Sequence, residues 1–423
     1  MKAGRNAVAD VKAGYKRTEV GVIPEDWDDK ELGSILLNGR LGGNYPNQVS
    51  ETSYPLMKMG NLARGYIDLQ NIEYIPECIT PAPEHQLHFG DVLFNTRNTL
   101  DLVGKVAIWH DELPLAFYNS NLMRLEFDPK KIGSNEFANY VLNSQRIVTQ
   151  LRNIATGTTS VAAIYTRDLL KIVIPHPRID EQRAIATALS DADARITSLD
   201  QLIAKKRDIR QAAMRELLTG KRRLPGFSGE WARKRLGDLC HSINDGTHYT
   251  PNYVNDGVPF YSVENVTADD FVNTKFISRD AHEQLIKRCM PEKGDILLTR
   301  IGSIGDTKLI DWDVEASIYV SLALLKVNKK VDRQYLYCYT RSNQFQKDIE
   351  ARSLLNATPK KINMIDIGGV PISLPPLEEQ RAIATVLSDM DAELAALEQQ
   401  RDKMKNIKQG MMQELLTGRI RLT

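Results

Sequence analysis

Cysteine is scarce in this chain, and no excess of either charge is present. The 423 residues include four cysteines, Cys78, Cys240, Cys289 and Cys338, scattered with no Cys-x-x-Cys pair. That spacing suggests neither a zinc site nor a disulfide framework, so the four read as buried thiols or bystanders and no metal is expected. No apolar run approaches the roughly 18 residues needed to cross a bilayer. The opening MKAGRNAVADVKAGYKR also lacks the apolar core of a secretion signal. Cytoplasm is therefore the expected location, with no membrane partner. The formal net charge is only +1, which argues against a uniformly basic, nonspecific nucleic-acid binder and leaves room for a local patch. The seven histidines form no His-x3-His pair. The nearest approach to a phosphate loop, Gly302 to Lys308, lacks the spacing that lets backbone amides cradle phosphates.

What the chain does have is ordinary globular composition, 42% hydrophobic and 26% charged, and an internal repeat. Glu181–Leu224 and Glu379–Leu422 are two copies of one 44-residue segment at a constant offset of 198, with 25 identical pairs. Both copies read as long helices. In the second, Ile383, Leu387, Met390, Leu394 and Leu397 step by four and three, a heptad-like seam that continues to Met404, Met411 and Leu415. The first matches it with Ile185, Leu189, Ala192, Ile196, Leu199 and Ile203, then turns its apolar face toward Ile209, Ala213 and Leu217. Prolines precede each start, acids fill the first turn, and Gly220 and Gly418 follow the last apolar pair. A helix from Glu181 to Leu218 would run about 57 Å. A helix that long with a narrow apolar stripe needs a partner, and its own copy is the nearest one. The matched pairs Gln182/Gln380, Arg183/Arg381, Ser190/Ser388 and Glu216/Glu414, taken as exposed, exceed what a seam requires. They favour two identical external partners, with Gln182, Arg183, Glu216, Gln380, Arg381 and Glu414 as the candidate partner-binding residues.

The regions ahead of each helix correspond faintly. Trp27, Leu32-Gly33, Pro55 and Gly90-Asp91-Val92-Leu93 match Trp231, Leu236-Gly237, Pro259 and Gly294-Asp295-Ile296-Leu297 at an offset of 204. Strand-like runs such as VLFNTR, NLMRLEF, DILLTRI and ALLKVN mix with helical stretches at 135–152 and 333–352. Each region reads as one α+β domain. Asp91 and Asp295 follow glycine ahead of apolar strands, the signature of a turn rather than of a catalytic acid.

This order of variable region, Pro-x-x-x-Glu-Gln helix, second variable region and Pro-Pro-x-Glu-Glu-Gln helix, with Glu-Leu-Leu-Thr-Gly near each helix end, resembles the specificity subunits of type I restriction-modification systems. The strongest residues are Pro175–Arg183 with Glu216–Gly220 and Pro375–Arg381 with Glu414–Gly418, joined by the Gly157–Ser160 loop. The resemblance spans essentially the whole chain. It implies an α+β fold in which two globular target-recognition domains, 1–178 and 223–376, are joined by two long antiparallel coiled-coil helices, 179–222 and 377–423, with pseudo-two-fold symmetry. It implies double-stranded DNA as ligand, each domain reading half of a split sequence in the major groove. Two modification (methyltransferase) subunits would dock on the helices, and restriction (motor-nuclease) subunits would join them. The chain itself carries neither an Asn-Pro-Pro-[Phe/Tyr] loop nor a Gly-rich cofactor loop, so no catalytic residue and no cofactor are expected in it. S-adenosylmethionine is expected on the partner.

Base readout needs Arg, Lys, Asn, Gln, Ser or Thr at loop tips, and phosphate positioning needs cations, hydroxyls and amides. In the first domain the candidate DNA contacts are Asn44 and Tyr45, Asn95 and Arg97, and Thr158, Thr159 and Ser160. In the second they are Thr247, His248 and Tyr249, Thr299, Arg300 and Ser303, and Thr358, Lys360 and Lys361. Turn chemistry is the competing explanation for each Asn and Thr beside glycine. The competing function is a scaffold that bridges two identical proteins and retains no DNA selectively.

Overall fold

A computed structural model describes residues 11–354 and 357–422; the basic opening residues 1–10 lie outside them. The chain forms two compact units, residues 1–199 with 400–423 and residues 200–399. Each unit therefore owns one globular region and half of each long helix.

The first unit is built around a four-stranded antiparallel sheet ordered Leu36–Leu41, Leu122–Phe127, Val92–Asn95, Val106–Ile108. Val92–Asn95 and Val106–Ile108 are buried throughout because both of their faces are covered. Val92, Phe94, Val106 and Ile108 point to a core shared with Trp27, Phe137 and the start of the long helix, whereas Leu93 and Ala107 point to a second core with Met57, Trp109 and Tyr118. The second unit repeats the sheet as Cys240–Asp245, Leu322–Val327, Ile296–Thr299, Thr307–Leu309. Its inner residues divide in the same period-two way, with Ile296, Leu298 and Leu325 on one side and Leu297, Leu322 and Leu324 on the other. A small sheet lies beside each, and the parallel pairing of Leu56 with Phe117 recurs as Phe260 with Ser317.

The turn reading of the two aspartates agrees with the geometry. Asp91 accepts the His88 amide at 2.9 Å and Asp295 the Glu292 amide at 2.9 Å, each after a glycine with positive φ. The predicted helical stretches are each broken in two. Asn135–Leu142 is followed by Gln145–Ile154, and Arg333–Thr340 by Asn343–Arg352. In the second unit the break falls where Ser342 caps a new helix by accepting the Phe345 amide. Cys240, Cys289 and Cys338 are buried and free, Cys78 is exposed and free, and burial pushes the Cys338 thiol up to about 11.

The repeat forms helices Ile179–Leu217 and Leu377–Leu415. They pair antiparallel within each unit. In the first, Lys408 reaches Asp193 at 2.6 Å; in the second, Arg207 meets Glu398 and Arg210 meets Asp391 at 2.9 Å. Ile185, Leu189, Ala192, Leu199, Ile203, Ile383, Leu387 and Leu394 of the expected seam are buried. Ile209 is a correction: it is 44% exposed. By that point the inward face has rotated to Met214, Leu217 and Leu218, which join the second unit's core.

The Leu-Leu-Thr-Gly ends dock on the domains. Leu415 and Leu416 enter the first unit's core, and Gly418 turns the chain there with φ +68°. A Cβ at Gly418 would stand 2.5 Å from the Pro24 ring. Gly418→Ala is therefore expected to lower the melting transition of the first unit, by about 2 kcal/mol from left-handed strain plus overpacking. Gly220→Ala should cost less, because its Cβ would meet the Trp231 ring at an ordinary 3.4 Å. Thermal melting of both variants checks the order.

Candidate nucleic-acid interface

The start shared by both long helices is an internal lock. In the first unit the Trp27 indole donates to Glu181 at 2.9 Å. Arg421 donates through Nε and Nη2 to both Glu181 oxygens at 2.6 and 2.8 Å and, through Nη1 and the same Nη2, to both Asp26 oxygens at 2.8 Å. The Arg421 guanidinium also lies 5.6 Å from the Trp27 ring centre. The second unit repeats part of this: Arg223 pairs with Glu379 and lies over Trp231, whose indole nitrogen is buried without a partner. Gln182 is 0% exposed: its amide oxygen accepts the Gly133 amide at 2.9 Å, and its NH2 donates to the carbonyls of Lys131 and Pro177. Gln380, 1% exposed, accepts from the Asp332 amide and donates to the Pro375 carbonyl.

These two glutamines therefore correct the expectation of exposed partner contacts. Their amides replace water for otherwise orphaned backbone groups, which is reason enough for both copies to keep them. Ser190 and Ser388 likewise bond inward, to Tyr140 at 3.2 Å and to Gln334 at 2.9 Å. Arg183 and Arg381 are exposed; Arg381 pairs with Glu378. Glu216 and Glu414 are half-buried at the helix ends, where their carbonyls accept the Arg222 and Arg419 amides. Sequence reasoning missed a repeated surface feature: Ile209 and Ile407, one repeat apart, are exposed to 44% and 43%.

In each unit the candidate loops converge near one end of the central sheet. In the first, Arg97 pairs with Ala163, closing a three-stranded ribbon whose other turn is Thr158–Ser160. Leu100 donates to the Thr159 carbonyl. Arg97 and the three hydroxyl residues are exposed. Thr158 accepts the Val161 amide and bonds Ser160, so turn chemistry and exposure coexist there. Asn44 is exposed, while the Tyr45 hydroxyl sits 2.7 Å from His85 Nδ1. Burial holds His85 below its usual range. Asn95 is buried; its side-chain amide oxygen accepts the Arg97 backbone amide. It shapes the turn that carries Arg97 and does not itself face solvent.

In the second unit Ile301 bridges to Lys361, and Gly302 donates to the Lys360 carbonyl. This brings Ser303 together with Thr358, Lys360 and Lys361, whose side chains are exposed. Arg300 corrects the expectation of direct readout. It is 8% exposed and spends its guanidinium on the carbonyls of Ile362 and Val320 and on Asp245 at 3.0 Å. Asp245 in turn takes His248 at 2.9 Å and Arg288 at 2.7 Å, both of them exposed. Arg288 was missed because it lies in the turn after helix Arg279–Leu285, 40 residues from the His248 it joins. Thr299 and Thr247 are buried in turns: Thr299 accepts the Asp306 amide and Thr247 bonds Tyr249. Tyr249 is 60% exposed. Arg288, Thr247, His248 and Tyr249 line one cavity of about 250 Å³.

Among the described residues no group of three or more His, Cys, Asp or Glu side chains could hold a metal, and no helix is long and apolar enough to cross a membrane. Two copies of one α+β unit, each with a polar and cation-tipped loop cluster and each clasped by both long helices, define a duplicated recognition module.

The chain belongs to the type I restriction modification DNA specificity domain family, whose model matches residues 24–205 and 228–406. Its role is DNA sequence specificity, a task of recognition rather than catalysis. It is 26% identical, over 96% of its length and 97% of the relative's, to a Methanocaldococcus jannaschii protein described as the MjaX type I restriction enzyme specificity subunit. The type I restriction enzyme MjaVIII specificity subunit of the same organism is 23% identical over 95% of this chain and 94% of its own. The S subunit of a type I restriction-modification system from M. genitalium has the same fold, with a TM-score of 0.61 at 18% identity, covering 92% of this chain and 96% of that one.

Proposed function

We propose that each unit reads one half of a bipartite DNA site, that the paired helices set the gap between the halves, and that their repeated surface docks two methyltransferase subunits. The observation that carries this reading is the convergence, near the same end of one repeated sheet, of two chemically different loop sets. Asn44, Arg97 and Thr158–Ser160 in the first unit answer His248, Arg288, Ser303 and Lys360–Lys361 in the second. One scaffold with two different faces suits an asymmetric target. Exposed Ile209 and Ile407, one repeat apart, support two equal docking surfaces; apolar side chains of this kind anchor interfaces. The methyltransferase would bring S-adenosylmethionine, and motor-nuclease subunits would complete a restriction complex, with no cofactor held by this chain and the cytoplasm as its compartment.

Deleting one heptad from each long helix removes about 10 Å of helix and should shorten the gap while both half-sites stay the same. Co-expression with the methyltransferase followed by methylation mapping reads this directly. Altered half-sites with an unaltered gap would refute the spacer role.

A further inference from the structure

One corner of the central sheet is built alike in the two units and charged oppositely. In the first, Asn95 donates to the Lys105 carbonyl at 2.8 Å and accepts from Gly104 at 3.0 Å. In the second, Thr299 donates to the Asp306 carbonyl at 2.9 Å and accepts from Gly305 at 3.0 Å. Lys105 and Asp306 therefore hold the same ladder position. Asp306 is satisfied, accepting from the hydroxyls of Ser303 and Thr267, and nearby Lys308 pairs with Asp269.

The Lys105 side chain has no such partner: its ammonium makes neither a hydrogen bond nor an ion pair with any described residue, and the one carboxylate acting on it, that of Asp68, does so without contact. Beside it the Arg64 guanidinium makes one long contact, 3.5 Å from Nη1 to the Gly104 carbonyl, while its Nη2 is closed to solvent and without a partner. Arg152 adds a third cation, held only loosely by Asp101 at 3.9 Å. Burial and then the Arg64 charge pull Lys105 below its usual range; burial and then Arg152 do the same to Arg64. Grouping cations costs stability, and an oxyanion with several acceptor oxygens would offset that cost.

We propose that Arg64, Lys105 and Arg152 form a site for one phosphate-type oxyanion, filled by a DNA backbone phosphate, and that the second unit, with Asp306 in the equivalent place, lacks it. Only the DNA source rests on the role proposed above; the oxyanion site does not. Recognition would then be lopsided, with the first unit gripping backbone where the second relies on its loops.

The test uses the full chain and Lys105→Gln. Thermal melting in inorganic phosphate against chloride at matched ionic strength is expected to show a phosphate-specific rise that Lys105→Gln loses. In chloride the variant should melt at or above the parent temperature, because a like-charge repulsion has been removed. An equal phosphate response in both chains, or a variant that melts lower in chloride, overturns the site. With the co-expressed methyltransferase and duplex DNA, the variant should flatten the dependence of log affinity on log salt by about 0.9, one phosphate's worth, on specific and nonspecific DNA alike. An unchanged slope with the phosphate response intact overturns the DNA source and assigns the site to a free oxyanion. Failure of the parent complex to bind DNA selectively would sink the DNA-reading role, and the phosphate melt would still decide the site.

Discussion

Glu181→Ala is expected to destabilise the first unit by about 3 kcal/mol and to leave the second unit's melting transition in place. The carboxylate is 2% exposed and takes three hydrogen bonds, one from Trp27 and two from Arg421. Alanine would leave the Trp27 indole buried without an acceptor and Arg421 with only Asp26. That residual pair is why the loss should fall at the low end of the range for breaking a buried ion pair. For a unit of this size the transition would drop by roughly 6–12 °C, and calorimetry should resolve two transitions where the parent shows them closer together. A uniform shift of both transitions would contradict the local lock. The Asp26 contribution has a definite pH sign. The Arg421 hydrogen bond holds Asp26 below the usual carboxylate range, so its support is present at neutral pH and fades as pH falls through that depressed value.

Asp245→Ala should abolish recognition of one half-site and spare the other. The carboxylate is the hub on which buried Arg300 is neutralised and on which exposed His248 and Arg288 are aimed. Without it Arg300 stays in the interior with two carbonyl acceptors and no counter-charge, at a cost of about 3–5 kcal/mol to the second unit. Arg300→Ala is expected to relax the same half-site by a different route: it removes the strut and leaves Asp245 held only by the exposed Arg288 and His248. Methylation mapping of the assembled complex separates the outcomes. Loss of both half-sites in a complex that still folds would mean that Asp245 does not belong to one reading face. Asp245→Asn keeps the shape and removes the charge, so it should fall between alanine and the parent.

The helices and their seam were legible because a burial rhythm of three and four has few structural solutions, and Leu387, Leu189 and Ile203 are buried as that rhythm requires. The central strands were legible as short apolar runs, VLFNTR and DILLTRI among them. Gln182 and Gln380 were not, because polar residues in a first helical turn look like surface until the domain that buries them is in place. Ile209 failed in the opposite direction: its spacing fits the stripe, but the inward face has already rotated past it. The contrast between Lys105 and Asp306 was hidden by small length differences. The offset between the units is 204 at Gly90 and Gly294 but 201 at Lys105 and Asp306, so only the hydrogen-bond ladder aligns them. Arg300 carried a cationic side chain at a loop, and nothing in the linear pattern said that Asp245 would draw it inward.

The first unit is assembled from both ends of the chain, residues 1–199 and 400–423, whereas the second is continuous. Tyr15 donates to the Gly418 carbonyl at 3.0 Å, and Arg421 closes on Glu181 and Asp26. During synthesis the second unit has nearly all its residues before the ribosome reaches the last turn of the C-terminal helix, but the first must wait for the final residues before Trp27 and Glu181 gain their partner. The half made first is thus completed last. A chain terminated before Gly418 would carry an unfinished first unit.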